Sequence, residues 1–224
     1  EKVRMGSLAG ETQRSEVRNQ VKKLLANSQI VYGSLDSVEV IDADPKKGAF
    51  MSPVLLMNDK PHSCTEPHEV EAFGPVSTIM PYQNMEDAIA LSKLGKGSLV
   101  TTVVTADYKE ARQYVIGAAT HHGRILVLNN ECAKENTGHG SPLPLLVHGG
   151  PGRAGGGEEM GGIRGVKHYL QRTAIQGSPT TITEVTNVYQ PNAKGKDPGK
   201  HPFQKYFEEL QIGDQIVTEK RLIT

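Results

Sequence analysis

The chain has no tryptophan, only two cysteines in 224 residues, and no net charge, with 25 Lys plus Arg set against 25 Asp plus Glu. Each shortage excludes something. Without a basic excess there is no electrostatic footprint for nucleic acid or an anionic membrane surface. Two thiols, Cys64 and Cys132, are no disulfide framework and point to a reducing compartment, so the expected location is the cytoplasm. Neither cysteine sits in a zinc-type spacing, and the adjacent His121 and His122 point apart on a helix, a poor way to share one metal. No run of about 18 apolar residues is present to span a bilayer. The opening residues, "EKVRMGSLAGETQRSE", lack both a starting Met and the apolar stretch of a secretory signal. The length is enough for one large domain, or for one domain with an appended piece, and for a substantial core.

Periodicity gives the elements. Val17, Val21, Leu24 and Leu25 recur at helical spacing within residues 10–27. Short strands are expected at 52–57 and 76–82. A helix then opens at Asn84, with acids in its first turn and Gly95 as its stop. Residues 98–105, "SLVTTVVT", are β-branched and almost continuous, which predicts a buried strand. Asp107 with Glu110 forms an Asp version of the capping box, and its helix carries Ala111, Tyr114, Val115 and Ala118 on one face. "RILVLN", 124–129, is the next strand. This strand–helix alternation predicts an α/β domain, a sheet with crossover helices. A Gly- and Pro-rich stretch fills 130–165, and residues 165–176 are expected as a strand closing the domain. Residues 187–202 have linker composition, and 203–224 turn apolar again, as the start of a second, incomplete domain.

"HGGPGRAGGGEEMGG", 148–162, contains Gly150-x-Gly152-x-x-Gly155, formally a dinucleotide fingerprint. Its context is poor, because such a fingerprint must open a helix and this one keeps inserting glycines. No Gly-Lys-Ser/Thr follows, so a phosphate loop fails too. A tightly turning loop, or one whose glycines let backbone pass close to a substrate, are the other readings.

"EVEAFGPV", residues 69–76, resembles the Glu-x-Phe-Gly-Pro-Val signature of the aldehyde dehydrogenase superfamily. The order of elements around it agrees: "VRMGSLAGETQRSEV" is similar to that family's turn and helix after its catalytic cysteine, "RILVLN" to its late strand, and "HYLQRTAIQ" to its closing oligomerisation strand. The resemblance covers roughly residues 1–185 and makes the glycine segment an active-site and substrate-entry loop. "KENTGHGSPLPLLVHGGPGRAGGGEE" and "HPFQKYFEELQIGDQ" narrow it to bifunctional enzymes of bacterial phenylacetate degradation that couple such a dehydrogenase to a MaoC-like hydratase. The implied organisation is a partial catalytic and oligomerisation region over 1–186, a linker over 187–202, and the start of a hydratase domain over 203–224.

The resemblance also implies roles. Glu71 accepts hydrogen bonds from the nicotinamide ribose hydroxyls, and Phe73 packs beside the nicotinamide of NADP or NAD. Gly74 and Pro75 make the turn. His148 stands where many members have an aromatic residue lining the substrate tunnel; Asn129 and Asn130 end a strand as caps or pocket residues. The nucleophilic Cys and general-base Glu are expected upstream together with the nucleotide-binding domain, so this chain alone is expected to be inactive. The implied substrate is a small aldehyde, CoA-linked, and the implied assembly is a homo-oligomer. Two alternatives stand beside this: an inert substrate-side and dimerisation module, and a thiol enzyme using Cys132 with His139 or His148.

Overall fold

The computed structural model describes residues 5–134, 149–156, 163–170 and 172–195. Helix α1, Glu11–Leu24, buries Val17, Val21 and Leu24. It packs them on Met51 and on Val54 and Leu56 of strand β2, Val54–Met57. Strand β1, Gln29–Tyr32, runs antiparallel to β2, and β3, Val76–Ile79, runs parallel to it on the other side. A four-residue helix α2, Glu66–Glu69, lies between β2 and β3.

The second layer starts with α3, Met85–Lys93, then β4, Ser98–Val104, α4, Tyr108–Ala118, and β5, His122–Leu128. After the glycine-rich region come α5, Ile163–His168, β6, Ala174–Gln176, and α6, Pro179–Thr186. Strands β4, β5 and β6 form one parallel sheet in that order. Its core is Val103, Ile125 and Val127 against Ala111, Tyr114, Val115 and Ala118 of α4 and Val185 of α6. Each large aliphatic side chain so buried contributes about 1.5–3 kcal/mol. Arg112 fastens α6 further by donating to the Val185 carbonyl.

The α/β class is the expected one, and the alternation from 76 to 129 is present, with three differences. β3 pairs with β2 and not with β4, so the strands divide between two three-stranded sheets. β4 is not a buried strand. It lies at a sheet edge, where only Val103 is buried and Val104 is 78% exposed. Residues 165–176 are not one strand either: the first part belongs to α5, and only Ala174–Gln176 pairs, with β5 of the same chain. The apolar spacing there fits a short helix as well as a strand. α6 was not expected, although Ser178 followed by Pro179 is a start signal. Its threonines are weak helix formers, held by the burial of Thr180, Thr181 and Val185.

The caps are as the sequence implies, with one change. Asn84 Oδ1 accepts from the Asp87 amide, and Asp107 Oδ1 accepts from Lys109 and Glu110. The reciprocal half of the capping box is replaced: the Asp107 amide donates to Thr105 Oγ1, which itself donates to Glu110. Residues 187–195, the start of the expected linker, fold back on α6. Gln190 and Lys194 amides donate to Thr183 and Thr180 hydroxyls, and Ala193 is buried. The rest of that linker and the expected hydratase start, 203–224, lie outside the described residues.

Two close fits in the second layer generate tests. His122 begins β5, is 3% exposed, and has Nδ1 2.7 Å from the Ser98 hydroxyl of its register partner. Its ring stacks on Tyr114, and Nε2 is buried without a hydrogen-bond partner among the described residues. Burial, and then the neighbouring His121, push its pKa down to about 4. The folded protein therefore holds His122 neutral while the unfolded chain takes a proton below about pH 6.5. The stability penalty is absent above that pH, grows as pH falls, and is complete near pH 4, reaching about 3 kcal/mol. Urea titrations at pH 7 and pH 4 should show a larger loss for the wild type than for His122→Gln; equal losses would mean another group carries the acid sensitivity. The second fit is at Gly97, with φ +119°, where an added Cβ would stand 2.0 Å from the Pro151 carbonyl oxygen. Gly97→Ala should cost about 1–3 kcal/mol and open residues 149–155 to proteolysis. An unchanged cleavage map and melting temperature would show that the loop does not depend on this contact.

Candidate functional site

The signature loop, residues 70–75, is built on α1. Gln13 Nε2 donates to the Phe73 carbonyl at 3.0 Å. Gly74 lies so close to Val17 that an added Cβ would meet its Cγ2 at 2.7 Å. The Val54 amide then takes the Pro75 carbonyl at 2.9 Å and starts the β2–β3 ladder. Helix and sheet thus hold both ends of the loop and leave Glu71 and Phe73 outward: Glu71 is exposed and Phe73 is 76% exposed.

Glu71 stands on the wall of an open cleft of about 610 Å³. The facing wall is the Gly97–Val100 end of β4, and Arg153 and Ala154 of the glycine loop close one side. The cations at this cleft are already committed. Lys96 Nζ lies 2.6 Å from Glu69 Oε1, and this hydrogen bond, with the attraction of its charge, holds the Glu69 carboxyl below the usual carboxylate range. Arg153 donates from Nη1 to the His68 carbonyl at 3.0 Å and from Nη2 to the Glu69 carbonyl at 3.2 Å. Among the described residues Glu71 has no ion-pair partner. Its two oxygens remain as acceptors, the chemistry that suits a vicinal diol.

The described part of the glycine loop, 149–156, is not arranged as a phosphate cradle. A cradle needs backbone N–H groups turned toward the anion. Here the Gly150 amide donates to the Gly155 carbonyl, Arg153 to Lys96, Ala154 to Pro151, and Gly155 to Gly152. These four amides are spent within the loop and on the turn before β4. Its glycines serve close backbone packing: an added Cβ at Gly150 would meet the Ser98 carbonyl oxygen at 2.4 Å.

Among the described residues, Phe73, Asn129, Asn130 and Cys132 do not line this cleft. Asn129 follows β5 as a cap, donating to Thr181 Oγ1 and accepting from the Glu131 amide. Asn130 is exposed in the turn beside it. Glu131 there accepts from Ser178 and pairs with Lys194, whose hydrogen bond first, and then Ser178's, keep its carboxyl below the ordinary range. His148, like His139, lies outside the described residues. Cys132 is buried and donates to the Val127 carbonyl at 3.4 Å. Cys64 accepts from the Asn58 amide at 3.2 Å in a separate pocket under the end of β2. No group of three metal-binding side chains is present among the described residues, and none of their helices is long and apolar enough to cross a membrane. Sequence reasoning missed Lys96, Arg153 and Gln13. A weak signal exists for the first two: Lys96 stands between two glycines in the turn, and Arg153 is the basic residue of the glycine loop.

Comparison with known proteins agrees with this arrangement. The model of the aldehyde dehydrogenase family matches residues 1–175. The chain is 48% identical over 222 residues to protein MaoC of Klebsiella aerogenes, covering 98% of this chain and 64% of that protein. It is 38% identical over 151 residues to the 3,4-dehydroadipyl-CoA semialdehyde dehydrogenase of Aromatoleum evansii, covering 67% of this chain and 29% of that one. The chain therefore spans less than two thirds of the length of these relatives. The crystal structure of PnpE from Pseudomonas sp. WBC-3 shares the fold, with a TM-score of 0.54 at 20% identity over 70% of this chain and 29% of that one. With its signature loop on the cleft and the family match running from the first residue into β6, this chain belongs to the aldehyde dehydrogenase family.

Proposed function

We propose that this chain is the nicotinamide-side and substrate-side portion of an enzyme that oxidises a CoA-linked semialdehyde to its acid with NADP or NAD. The observation that carries the reading is Glu71, an exposed carboxylate without an ion-pair partner among the described residues, facing a cleft wide enough for a ribose and a nicotinamide ring. Membership of the family supports the reaction class. The 38% identity to a protein named as a CoA-semialdehyde dehydrogenase supports the substrate class.

The nicotinamide nucleotide, when bound, supplies the hydride acceptor. Glu71 would hold the nicotinamide end by accepting from the ribose hydroxyls. Phe73, exposed two residues further along the loop and not among the residues that line the cleft, would offer the nicotinamide a flat apolar partner. Glu71 meets the nicotinamide end and does not choose between NAD and NADP, a choice made at the adenosine ribose.

The nucleophilic thiolate and the general base come from residues outside these 224. Cys132 is buried and bonded to main chain, which does not present a sulfur to a carbonyl. Residues 203–224 are the start of the hydratase-like domain of the same polypeptide, a reading supported by the identity to protein MaoC over 98% of the chain. The exposed Val166, Tyr169 and Leu170 support the further reading that the parent protein is a homo-oligomer covering them.

In the full-length protein, Glu71→Gln should lower kcat/KM for the nucleotide by about tenfold or more, roughly 1.4 kcal/mol of transition-state stabilisation. Unchanged kinetics with both NAD and NADP would sink the reading. The 224-residue chain by itself should not turn over a semialdehyde. Turnover that Cys132→Ala abolished would make it a thiol enzyme in its own right.

A further inference from the structure

Arg153 is the one side chain of the described glycine loop that reaches the segment carrying Glu71. Its two terminal nitrogens bond consecutive carbonyls, His68 and Glu69, at the end of α2. Carbonyls at a helix end have no partner within the helix and need one from elsewhere. A planar guanidinium bridging two of them fixes both peptide planes at once, which a single ammonium cannot do. The peptide that follows leads through Val70 directly to Glu71.

The guanidinium is itself aimed by backbone. The Arg153 amide donates to the Lys96 carbonyl at 3.1 Å, and an added Cβ at Gly152 would sit 2.1 Å from that same oxygen. The other arm of the brace is Lys96, whose ammonium holds the Glu69 side chain at 2.6 Å. Main chain and side chain of Glu69 are thus both held from the far wall of the cleft. The pairing also keeps Lys96 occupied, so that Glu71 is left to a ligand.

We propose that Arg153 is a positioning residue for nucleotide binding: it touches no reacting atom, and it sets the place of Glu71 by bracing the carbonyls of His68 and Glu69 against the glycine loop. The inference rests on the role given to Glu71 above, and the test separates the two.

Wild type, Glu71→Gln, Arg153→Met and the double variant of the full-length protein are compared for KM of the nucleotide, KM of the aldehyde, kcat and melting temperature. Arg153→Met should raise the nucleotide KM by about fivefold to tenfold while aldehyde KM and melting temperature stay near wild type. In the Glu71→Gln background the same change should add less than about twofold, because its effect passes through the lost carboxylate. Arg153→Lys should fall between wild type and Arg153→Met, and it supplies the measurement if Arg153→Met fails to fold. An effective Glu71→Gln with a silent Arg153→Met and Arg153→Lys overturns the brace alone. So does a full, additive Arg153 loss in the double variant, which marks a role independent of Glu71. A silent Glu71→Gln overturns the cofactor contact, and the brace with it.

Discussion

The backbone of residues 149–155 lies against the backbone of residues 96–98 with no room for a side chain between them. Pro151 against Gly97, Gly152 against Lys96 and Gly150 against Ser98 are each contacts that an added Cβ would occupy at 2.0–2.4 Å. The amides of Gly150, Arg153, Ala154 and Gly155 are spent within the loop and on Lys96, which leaves these four none for an anion. It also fixes one wall of the cleft and directs Arg153 across to α2. The signature loop is held from the opposite direction by α1, through Gln13 and Val17. The cleft exists because two loops face each other, the signature loop held from α1 and tied across the cleft by the side chains of Arg153 and Lys96.

Much of this was legible in the residues. The helical period of Val17, Val21 and Leu24 places α1, and Asn84 and Asp107 cap their helices as their side chains require. Glu71 and Phe73 stand out through a motif whose outward position the structure shows. Other features lie beyond local sequence. That β3 pairs with β2 and not β4 is a tertiary choice, because a four-residue strand carries no record of its partner. β4 has the composition of a buried strand and an edge position, since β-branched residues serve either. Lys96 and Arg153 matter through contacts with residues 27 and more than 80 positions away, a separation at which no spacing rule operates.

The opposite end of the parallel sheet shows a different economy. Where β5 ends, Asn129, Glu131, Ser178, Thr181 and Lys194 satisfy one another. In an open α/β sheet the carboxyl ends of the strands are the usual ligand crevice. Here the carboxyl end of β5 carries a network that binds α6 and residues 187–195 to the domain, and the candidate cleft lies at the amino end of β4. Composition alone marks 187–202 as linker, yet its first residues are anchored by hydroxyl–amide bonds and by the burial of Ala193.

Among the described residues, both sheets have open margins. β1 has all four residues exposed, with Val31 at 48% and Tyr32 at 67%, and β4 turns Leu99 and Val104 outward. Unpaired strand margins with β-branched and aromatic side chains are templates for pairing between chains. A polypeptide of this length synthesised by itself would carry two such templates through folding, and its yield of soluble material would fall with concentration faster than its thermal stability suggests. Its handling in solution is then governed by what covers those margins rather than by how well its two cores are packed.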